Sequence, residues 1–273
     1  MTGSVLGLVL LAALTHALWN TWLKVSGDRL VALATIATGW AVVGLSSLPF
    51  VGAPSPVAWP YLLASTLVHS VYSLTLIRAY GHAALSITYP IARGTAPLIV
   101  AAVSVAYLGD SLGVAGFTAV ALIVVGVVWL GAPRPGQSRT GLILSLLTGV
   151  LIGAYTLLDG IGARIGASPH GFAAALFWLT ALPILTVAVW VHRADLPSMA
   201  RPLWLRGLAA GIMSAAAYWV VVWAMTVAPM GLVAAVRETS VVFAAVLGAL
   251  LGERVRWAPV GLVLLGVVLI RLA

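Results

Sequence analysis

The sequence predicts an all-α integral membrane protein in which ten transmembrane helices form two inverted five-helix repeats around a central cavity. The first observation is composition, because 62% of the residues are hydrophobic and only 7% are charged, whereas a soluble domain has about 25% charged residues. The second is length, because 273 residues hold about ten helices of about 20 apolar residues each. The third is an internal repeat with an odd number of helices in each half.

Short segments that contain glycine, proline or charged residues divide the apolar runs into ten predicted helices. Those of the first half cover residues 4–24, 30–50, 59–78, 83–108 and 112–131. Those of the second half cover residues 140–162, 169–191, 203–228, 230–251 and 258–272. The most loop-like stretch is 132–139, which contains Pro133, Arg134, Pro135 and Gly136. We therefore predict a first repeat at 1–131, a linker at 132–139 and a second repeat at 140–273.

Three short motifs occur once in each half. Arg-x-Thr is found at 93–95 and 237–239, Leu-Gly-acid at 108–110 and 251–253, and Gly-Val-Val at 126–128 and 266–268. The second copies follow the first by 144, 143 and 140 positions, so the register is nearly constant. Because each half has five helices, the second half enters the membrane from the opposite side. Such inverted repeats support alternating access to a site near the bilayer midplane.

The basic residues predict how the protein is oriented. The chain has 14 lysine and arginine residues against 6 acidic ones, and in a membrane protein such a bias marks cytoplasmic loops rather than a nucleic-acid surface. Only Arg164 and Arg271 follow even-numbered predicted helices. The ten residues that follow odd-numbered helices are Lys24, Arg29, Arg78, Arg134, Arg139, Arg193, Arg201, Arg206, Arg254 and Arg256. We therefore expect a multi-pass protein of the plasma or inner membrane with both termini outside the cell.

Several motifs resemble the drug/metabolite transporter superfamily, specifically its EamA-like ten-helix members, over essentially the whole chain. They are His16-Ala17-Leu18-Trp19-Asn20 with Lys24, Tyr89-Pro90-Ile91-Ala92-Arg93-Gly94 with Leu108-Gly109-Asp110, Ala154-Tyr155-Thr156-Leu157-Leu158-Asp159-Gly160, and Arg237-Glu238-Thr239-Ser240 with Gly252-Glu253. The resemblance implies a five-plus-five inverted repeat, a central cavity, and export or uptake of small organic solutes. Many members place both termini in the cytoplasm, in conflict with the arginine distribution here. The chain also lacks the glutamate in the first helix through which small four-helix relatives couple protons.

Arg93 is the first candidate for binding a solute. It lies deep in the predicted helix 83–108, with Tyr89 one turn earlier on the same face. An arginine near mid-membrane costs several kcal/mol, so it faces a cavity or a partner. Arg93 is therefore either a cationic anchor for an anionic or zwitterionic solute or a structural residue paired with a carboxylate.

Arg237 and Glu238 form the matching site in the second half. Adjacent helical residues point about 100° apart, so we expect that the two do not simply pair with each other. Glu238 is the best acidic candidate for a protonatable group within the membrane, since Asp110 and Glu253 lie at predicted helix ends. The alternative is a fixed interhelical bridge, for example from Glu238 to Arg93.

Polar and aromatic residues at helical spacing suggest the wall of a cavity. His16, Trp19 and Asn20 form one stripe on the first helix, where a histidine can also carry a proton. Further candidates, in both halves, are His69, Tyr72, Tyr155, Asp159, Tyr218 and Trp219. The alternative for each is an ordinary polar contact between helices. For Asp159, close to the predicted end of its helix, solvated helix capping is an equal alternative.

The sequence favours transport over catalysis. It contains no Walker A loop, no Gly-x-Ser-x-Gly and no His-Glu-x-x-His motif, so we expect no catalytic residues, metal site or cofactor. The predicted function is a secondary transporter, an exporter or exchanger, of a small organic solute such as an amino acid or other metabolite. The alternatives are a flippase for a lipid-linked polar headgroup and, less favoured, an intramembrane enzyme.

The expected partners are the solute and membrane lipids, with no nucleic acid. We expect the chain to act as a monomer or as a homodimer. Gly-x-x-x-Gly occurs at 149–153, 207–211 and 248–252, and such spacing lets helices approach closely. We expect this spacing to serve packing within one chain rather than a dimer interface.

Overall fold

The computed structural model describes residues 1–82, 85–130, 138–250 and 255–271. Its helices are α1 Gly3–Val25, α2 Arg29–Val51, α3 Trp59–His82, α4 Leu85–Tyr107, α5 Gly113–Leu130, α6 Arg139–Ile165, α7 Pro169–His192, α8 Leu196–Ala200, α9 Trp204–Val227, α10 Met230–Arg237, α11 Ser240–Leu250 and α12 Trp257–Ile270. Among these residues, eight segments are long and apolar enough to cross a membrane, and the stretches Ile91–Tyr107 and Trp257–Ile270 are shorter apolar helices. The predicted all-helical membrane fold is confirmed.

The predicted helix 230–251 is broken in its middle. Helix α10 ends at Arg237 and α11 begins at Ser240. The backbone tightens across the break, where the Val241 amide donates to the Glu238 carbonyl at 3.1 Å. The Thr239 hydroxyl donates to the Val236 carbonyl at 2.7 Å, a bond that bends helices. Helix α4, by contrast, continues across Pro97.

The principal helix contacts join the two halves of the chain. Helix α2 packs on α7 and α9, α5 packs on α12, both α3 and α4 pack on α6, and α1 packs on α9 and α11. Glycines permit the closest of these approaches. A Cβ atom on Gly149 of α6 would lie 2.7 Å from the Ala92 carbonyl oxygen of α4, and one on Gly126 of α5 would lie 2.7 Å from the Pro259 carbonyl oxygen of α12. Gly149 therefore serves packing within the chain, as predicted.

The first Leu-Gly-acid motif stops α4. Gly109 has a φ of 72°, a left-handed conformation that glycine adopts without a steric penalty and that commonly ends helices. The amides of Leu108 and Asp110 both donate to the Ser104 carbonyl at 3.1 Å. The turn leaves the Asp110 side chain free to reach the second half of the molecule.

A network of Asp110 and Arg164 closes one end of the bundle; we call it the Asp110–Arg164 latch. Arg164 Nη1 donates to Asp110 Oδ1 at 2.8 Å and Nη2 donates to Oδ2 at 3.3 Å. Arg164 also donates to the carbonyls of Met225 and Ala228, at 2.8 and 3.1 Å. Asp110 Oδ2 accepts from the Met230 amide at 2.7 Å, at the start of α10. The latch therefore ties α6, α9, α10 and the end of α4 together.

The loops lie at two opposite ends of the bundle. His192, the last residue of α7, lies 3.5 Å from the carboxylate of Asp28, in the connection after α1. The connections after α1 and α7 therefore share one end. The latch and the Gly3–Arg271 contact between the two terminal helices belong to the even-numbered predicted connections at the other end. Which end faces the cytoplasm stays a prediction.

Candidate functional site

Two buried arginines share one buried glutamate where the halves meet. Arg93 Nη1 lies 3.2 and 3.3 Å from the two carboxylate oxygens of Glu238, and donates to both. Arg237 Nε donates to Glu238 Oε1 at 3.4 Å. The arginines are each 4% exposed and Glu238 is 0% exposed. Arg93 of α4 thus forms an ion pair with Glu238 at the break between α10 and α11. This ion pair is the interhelical bridge that the sequence offered as an alternative.

The expectation that Arg237 and Glu238 do not pair with each other is wrong. That expectation assumed one regular helix over 230–251. Because α10 ends at Arg237, Glu238 takes a capping position rather than the next helical one. The break therefore lets two adjacent, oppositely charged side chains meet and turns both towards Arg93.

The stripe on α1 joins this cluster. Arg93 Nη2 donates to His16 Nε2, and Asn20 Nδ2 lies 2.7 Å from the same nitrogen. The Trp19 indole meets the His16 ring edge to face, with centroids 4.9 Å apart. Trp19 Nε1 is buried and has no hydrogen-bond partner among the side chains and backbone that the structure describes. This nitrogen is a donor available to a bound acceptor.

A second buried carboxylate, Asp159, lies on α6. Ser65 Oγ of α3 donates to Oδ1 at 2.5 Å, and the Tyr218 hydroxyl of α9 donates to Oδ2 at 2.5 Å. Asp159 is 0% exposed. The predicted alternative of a solvated helix cap is wrong, because α6 continues to Ile165 and places Asp159 more than one turn inside the helix.

Aromatic rings connect Asp159 to the arginine cluster. The His69 ring of α3 stacks on Tyr155 with centroids 3.8 Å apart, and Tyr72 and Tyr218 meet Tyr155 edge to face at 5.4 and 6.2 Å. Arg237 Cζ lies 6.0 Å from the Tyr155 centroid and 5.7 Å from that of Tyr218. These distances are those of cation–π contacts, so the rings hold Arg237 between the two carboxylates.

One predicted residue that the structure describes, Trp219, does not join these clusters. Trp219 Nε1 donates to His170 Nδ1 at 2.9 Å and packs on Phe177 instead. Tyr89 lies outside the residues whose side chains the structure describes. The structure also adds Thr156, whose hydroxyl accepts from Arg237 Nη2 at 3.4 Å. Its only signal in the sequence was its place beside Tyr155 in the 154–160 motif.

The site is almost wholly buried in this conformation. The side chains that were expected to line a central cavity pack against one another, and Arg93, Arg237, Glu238 and Asp159 are at most 4% exposed. The arrangement offers guanidinium donors, hydroxyls and ring faces, which are groups that can bind a charged solute. A bound solute has to replace some of these internal contacts with its own.

Comparison with known proteins agrees with this architecture. Residues 139–272 match the EamA-like transporter family. This match covers the second predicted repeat and supports membership of the drug/metabolite transporter superfamily. The family is part of the drug/metabolite transporter superfamily, which the sequence motifs had indicated, and its members are membrane transporters of small solutes.

Solved structures show that the likeness extends over both halves. One crystal structure of another protein superposes with a TM-score of 0.75 at 19% sequence identity, covering 98% of this chain and 95% of the other. At that identity the match establishes the fold alone. No curated protein matches the chain. The family match of the second half therefore points to transport, while the solute has to be inferred from the site.

Proposed function

We propose that the protein is a secondary transporter, an exporter or exchanger, that moves a small organic solute with an anionic group by alternating access. Amino acids and other small metabolites are the chemical class that we favour. The proposal places the protein in the plasma or inner membrane. Its halves act as inverted repeats, 1–131 and 140–273, joined by the linker 132–139.

The observation that carries the proposal is the sharing of Glu238 by Arg93 and Arg237. Arg93 makes two contacts with the carboxylate, whereas Arg237 makes one at 3.4 Å and a second, also 3.4 Å long, with Thr156. Hydrogen bonds at this distance are weak. Arg237 is thus the cation whose contacts a solute carboxylate replaces at the lowest cost, and the adjacent rings of Tyr155 and Tyr218 accept an apolar body.

The broken helix supports alternating access around this site. Transporters with inverted repeats bind solutes near the midplane at discontinuous helices, and the α10–α11 break lies directly at Glu238. The latch closes one end of the bundle in the present conformation. Transport then requires that the latch opens when the opposite end closes.

The test begins with a thermal-shift screen of purified protein against amino acids, organic anions and organic cations at two pH values. Solutes that stabilise the protein are then followed by counterflow in liposomes. Arg237→Lys keeps the positive charge that faces Glu238 but removes the planar pair of guanidinium donors. We expect this substitution to lower the counterflow rate about tenfold, because a hydrogen bond to a charged group is worth about 1.5–3 kcal/mol.

Arg201→Lys is the matched control, because Arg201 is exposed and remote from the cluster; it should transport like the wild type. Arg93→Lys provides the second measurement at the site. If both Arg93→Lys and Arg237→Lys exchange solute at the wild-type rate, the site assignment is incorrect. If the wild-type protein moves none of the stabilising solutes, the transport proposal itself fails.

A further inference from the structure

Asp159 is a buried carboxyl without a cationic partner. Its two oxygens accept only hydroxyl donors, Ser65 Oγ and Tyr218 OH, at 2.5 Å each. It makes no ion pair with any residue in the described ranges. Burying an unpaired charge costs several kcal/mol. The two hydroxyl donors are neutral, so they offset this cost only in part.

The same geometry also serves a protonated Asp159. A hydroxyl group either donates or accepts, so rotation of one hydroxyl converts its bond to the carboxylate into a bond that accepts the carboxyl proton. His69 Nδ1 lies 3.1 Å from Ser65 Oγ, which continues the chain of exchangeable protons away from Asp159. The two protonation states therefore need no rearrangement of the backbone.

Glu238 differs in this respect, although the sequence indicated it as the protonatable group. Its carboxylate is bound by two arginines, and protonation would neutralise the anion to which both guanidinium groups donate. Its charge is needed to hold α4 on the helix break. The hydrogen-bond partners therefore favour Asp159 over Glu238 as the site of an exchangeable proton.

The groups around Asp159 determine what its protonation does to the site. The titratable or charged groups that face it are His69 on α3, Tyr155 on its own helix, Tyr218 on α9 and Arg237 on α10. On α7, the apolar ring of Phe172 lies against Gly162 of α6.

The buried charges balance only while Asp159 is ionised. Arg93 and Arg237 then face two carboxylates, those of Glu238 and Asp159, and the formal sum is zero. A proton on Asp159 leaves one positive charge in excess, and the least tightly held cation is Arg237. An anion that enters beside Arg237 restores neutrality in the dry interior, where charge imbalance is most costly.

We propose that Asp159 binds the proton that crosses the membrane together with the anionic solute. The proton joins Asp159 from one side, the anion joins Arg237, and both leave on the other side, so that the loaded and the empty site are each neutral. This inference rests on the proposed transport function and adds the coupling ion and the residue that carries it.

The first test needs no solute. Infrared difference spectra of the purified protein, recorded from acidic to alkaline pH, detect the C=O stretch of a protonated carboxyl. We expect a band of a buried carboxyl that disappears on alkalinisation in the wild type. This band should be lost in Asp159→Asn, in which the bands of the other five acidic residues remain, and retained in Asp195→Asn, which changes an exposed carboxyl. A titrating band of wild-type size in folded Asp159→Asn would overturn the assignment.

The second test measures coupling in liposomes that contain a pH indicator. Benzenesulfonate is the probe, because this anion carries no proton at any pH used, so protons that enter with it have been carried by the protein. The wild type should acidify the lumen as benzenesulfonate enters. Asp159→Asn should exchange benzenesulfonate without moving protons, and Asp159→Glu, which restores a carboxyl, should regain acidification.

The outcomes separate the two proposals. Acidification by Asp159→Asn at the wild-type ratio of protons to benzenesulfonate overturns the role of Asp159 while leaving transport intact. Absence of counterflow by the wild type for every solute in the screen overturns transport, and the infrared measurement then still decides whether Asp159 exchanges a proton.

Discussion

The two buried carboxylates of the site, Glu238 and Asp159, have different partners. Glu238 holds two arginines and so fixes α4 against the second half, whereas Asp159 has only hydroxyl partners. The difference follows from their neighbours rather than from their identity, since both are carboxylates buried to the same extent. Glu238 therefore holds the helices together, and Asp159 is the carboxyl to which we assign the exchangeable proton.

Trp19 gives a prediction at the residue scale. Its Nε1 is buried and has no partner among the residues that the structure describes, so Trp19→Phe removes a donor that none of these residues uses. A neutral hydrogen bond contributes about 0.5–1.5 kcal/mol, so the dissociation constant of the best solute from the screen should rise about two- to tenfold. Thermal stability should stay near that of the wild type. Unchanged solute affinity would show that the indole nitrogen does not bind the solute.

Several residues of the site were predictable from the sequence, and the reasons for the misses are local. An arginine deep in an apolar run needs a partner, so the bridge from Arg93 to Glu238 was already an alternative. The sequence predicted that Asp159 lies close to solvent, because predicted helix ends are uncertain by a few residues. Helix α6 extends three residues beyond its predicted end, and this extension places Asp159 inside the helix. Thr156 was overlooked because a threonine in an apolar helix commonly bonds to its own backbone.

The break between α10 and α11 could not be predicted from the local sequence. Neither Gly nor Pro occurs at 238–239, so no local signal ends the helix there. The ion pairs that favour the break involve Arg93, which is remote in the chain. Tertiary contacts thus overrode a regular pattern of apolar residues, while the ten apolar segments themselves followed from composition and spacing alone.

The Asp110–Arg164 latch gives a prediction for the elements that it ties together. Asp110→Asn removes the ion pair to Arg164 and the charge at the start of α10, where helix dipoles favour an anion. We expect this end of the bundle to open more often. In the Asp110→Asn background, Ala228→Cys should therefore react faster with a membrane-impermeant maleimide than it does in the otherwise wild-type chain.

A cysteine at Thr2, which is exposed and outside the latch, is the control and should react at the same rate in both backgrounds. The chain has no native cysteine, so each label reports one position. Equal labelling of Ala228→Cys with and without the latch would mean that Asp110 stabilises the helix ends without controlling access.

The close contact between α6 and α4 at Gly149 gives a second prediction at the scale of the helices. Gly149→Val places a side chain against the Ala92 carbonyl and Thr95 of α4, and overpacking of this kind costs about 1–3 kcal/mol. Thermal unfolding in detergent should show the loss. Gly261→Val is the matched control in α12, because a Cβ there meets nothing within 4 Å. Equal stability of the two variants would contradict the close contact of α6 and α4.

For the whole molecule, the arginine distribution and the positions of the loops yield one prediction of orientation. The contact between Asp28 and His192 marks one end of the bundle, and the latch marks the other. Loops rich in arginine face the cytoplasm, so the Asp28 end should be inside and both termini outside. Gly27→Cys, where a Cβ meets nothing within 4 Å, and Ala167→Cys, which is exposed after α6, probe the two ends.

Intact cells treated with a membrane-impermeant maleimide should label Ala167→Cys at once and Gly27→Cys only after permeabilisation. The physical reason is that ten basic residues against two create a bias that insertion seldom overrides. The reverse pattern would place both termini in the cytoplasm, as in many EamA-like proteins. The latch would then close the cytoplasmic rather than the external end, and the present conformation would be the one shut towards the cell interior.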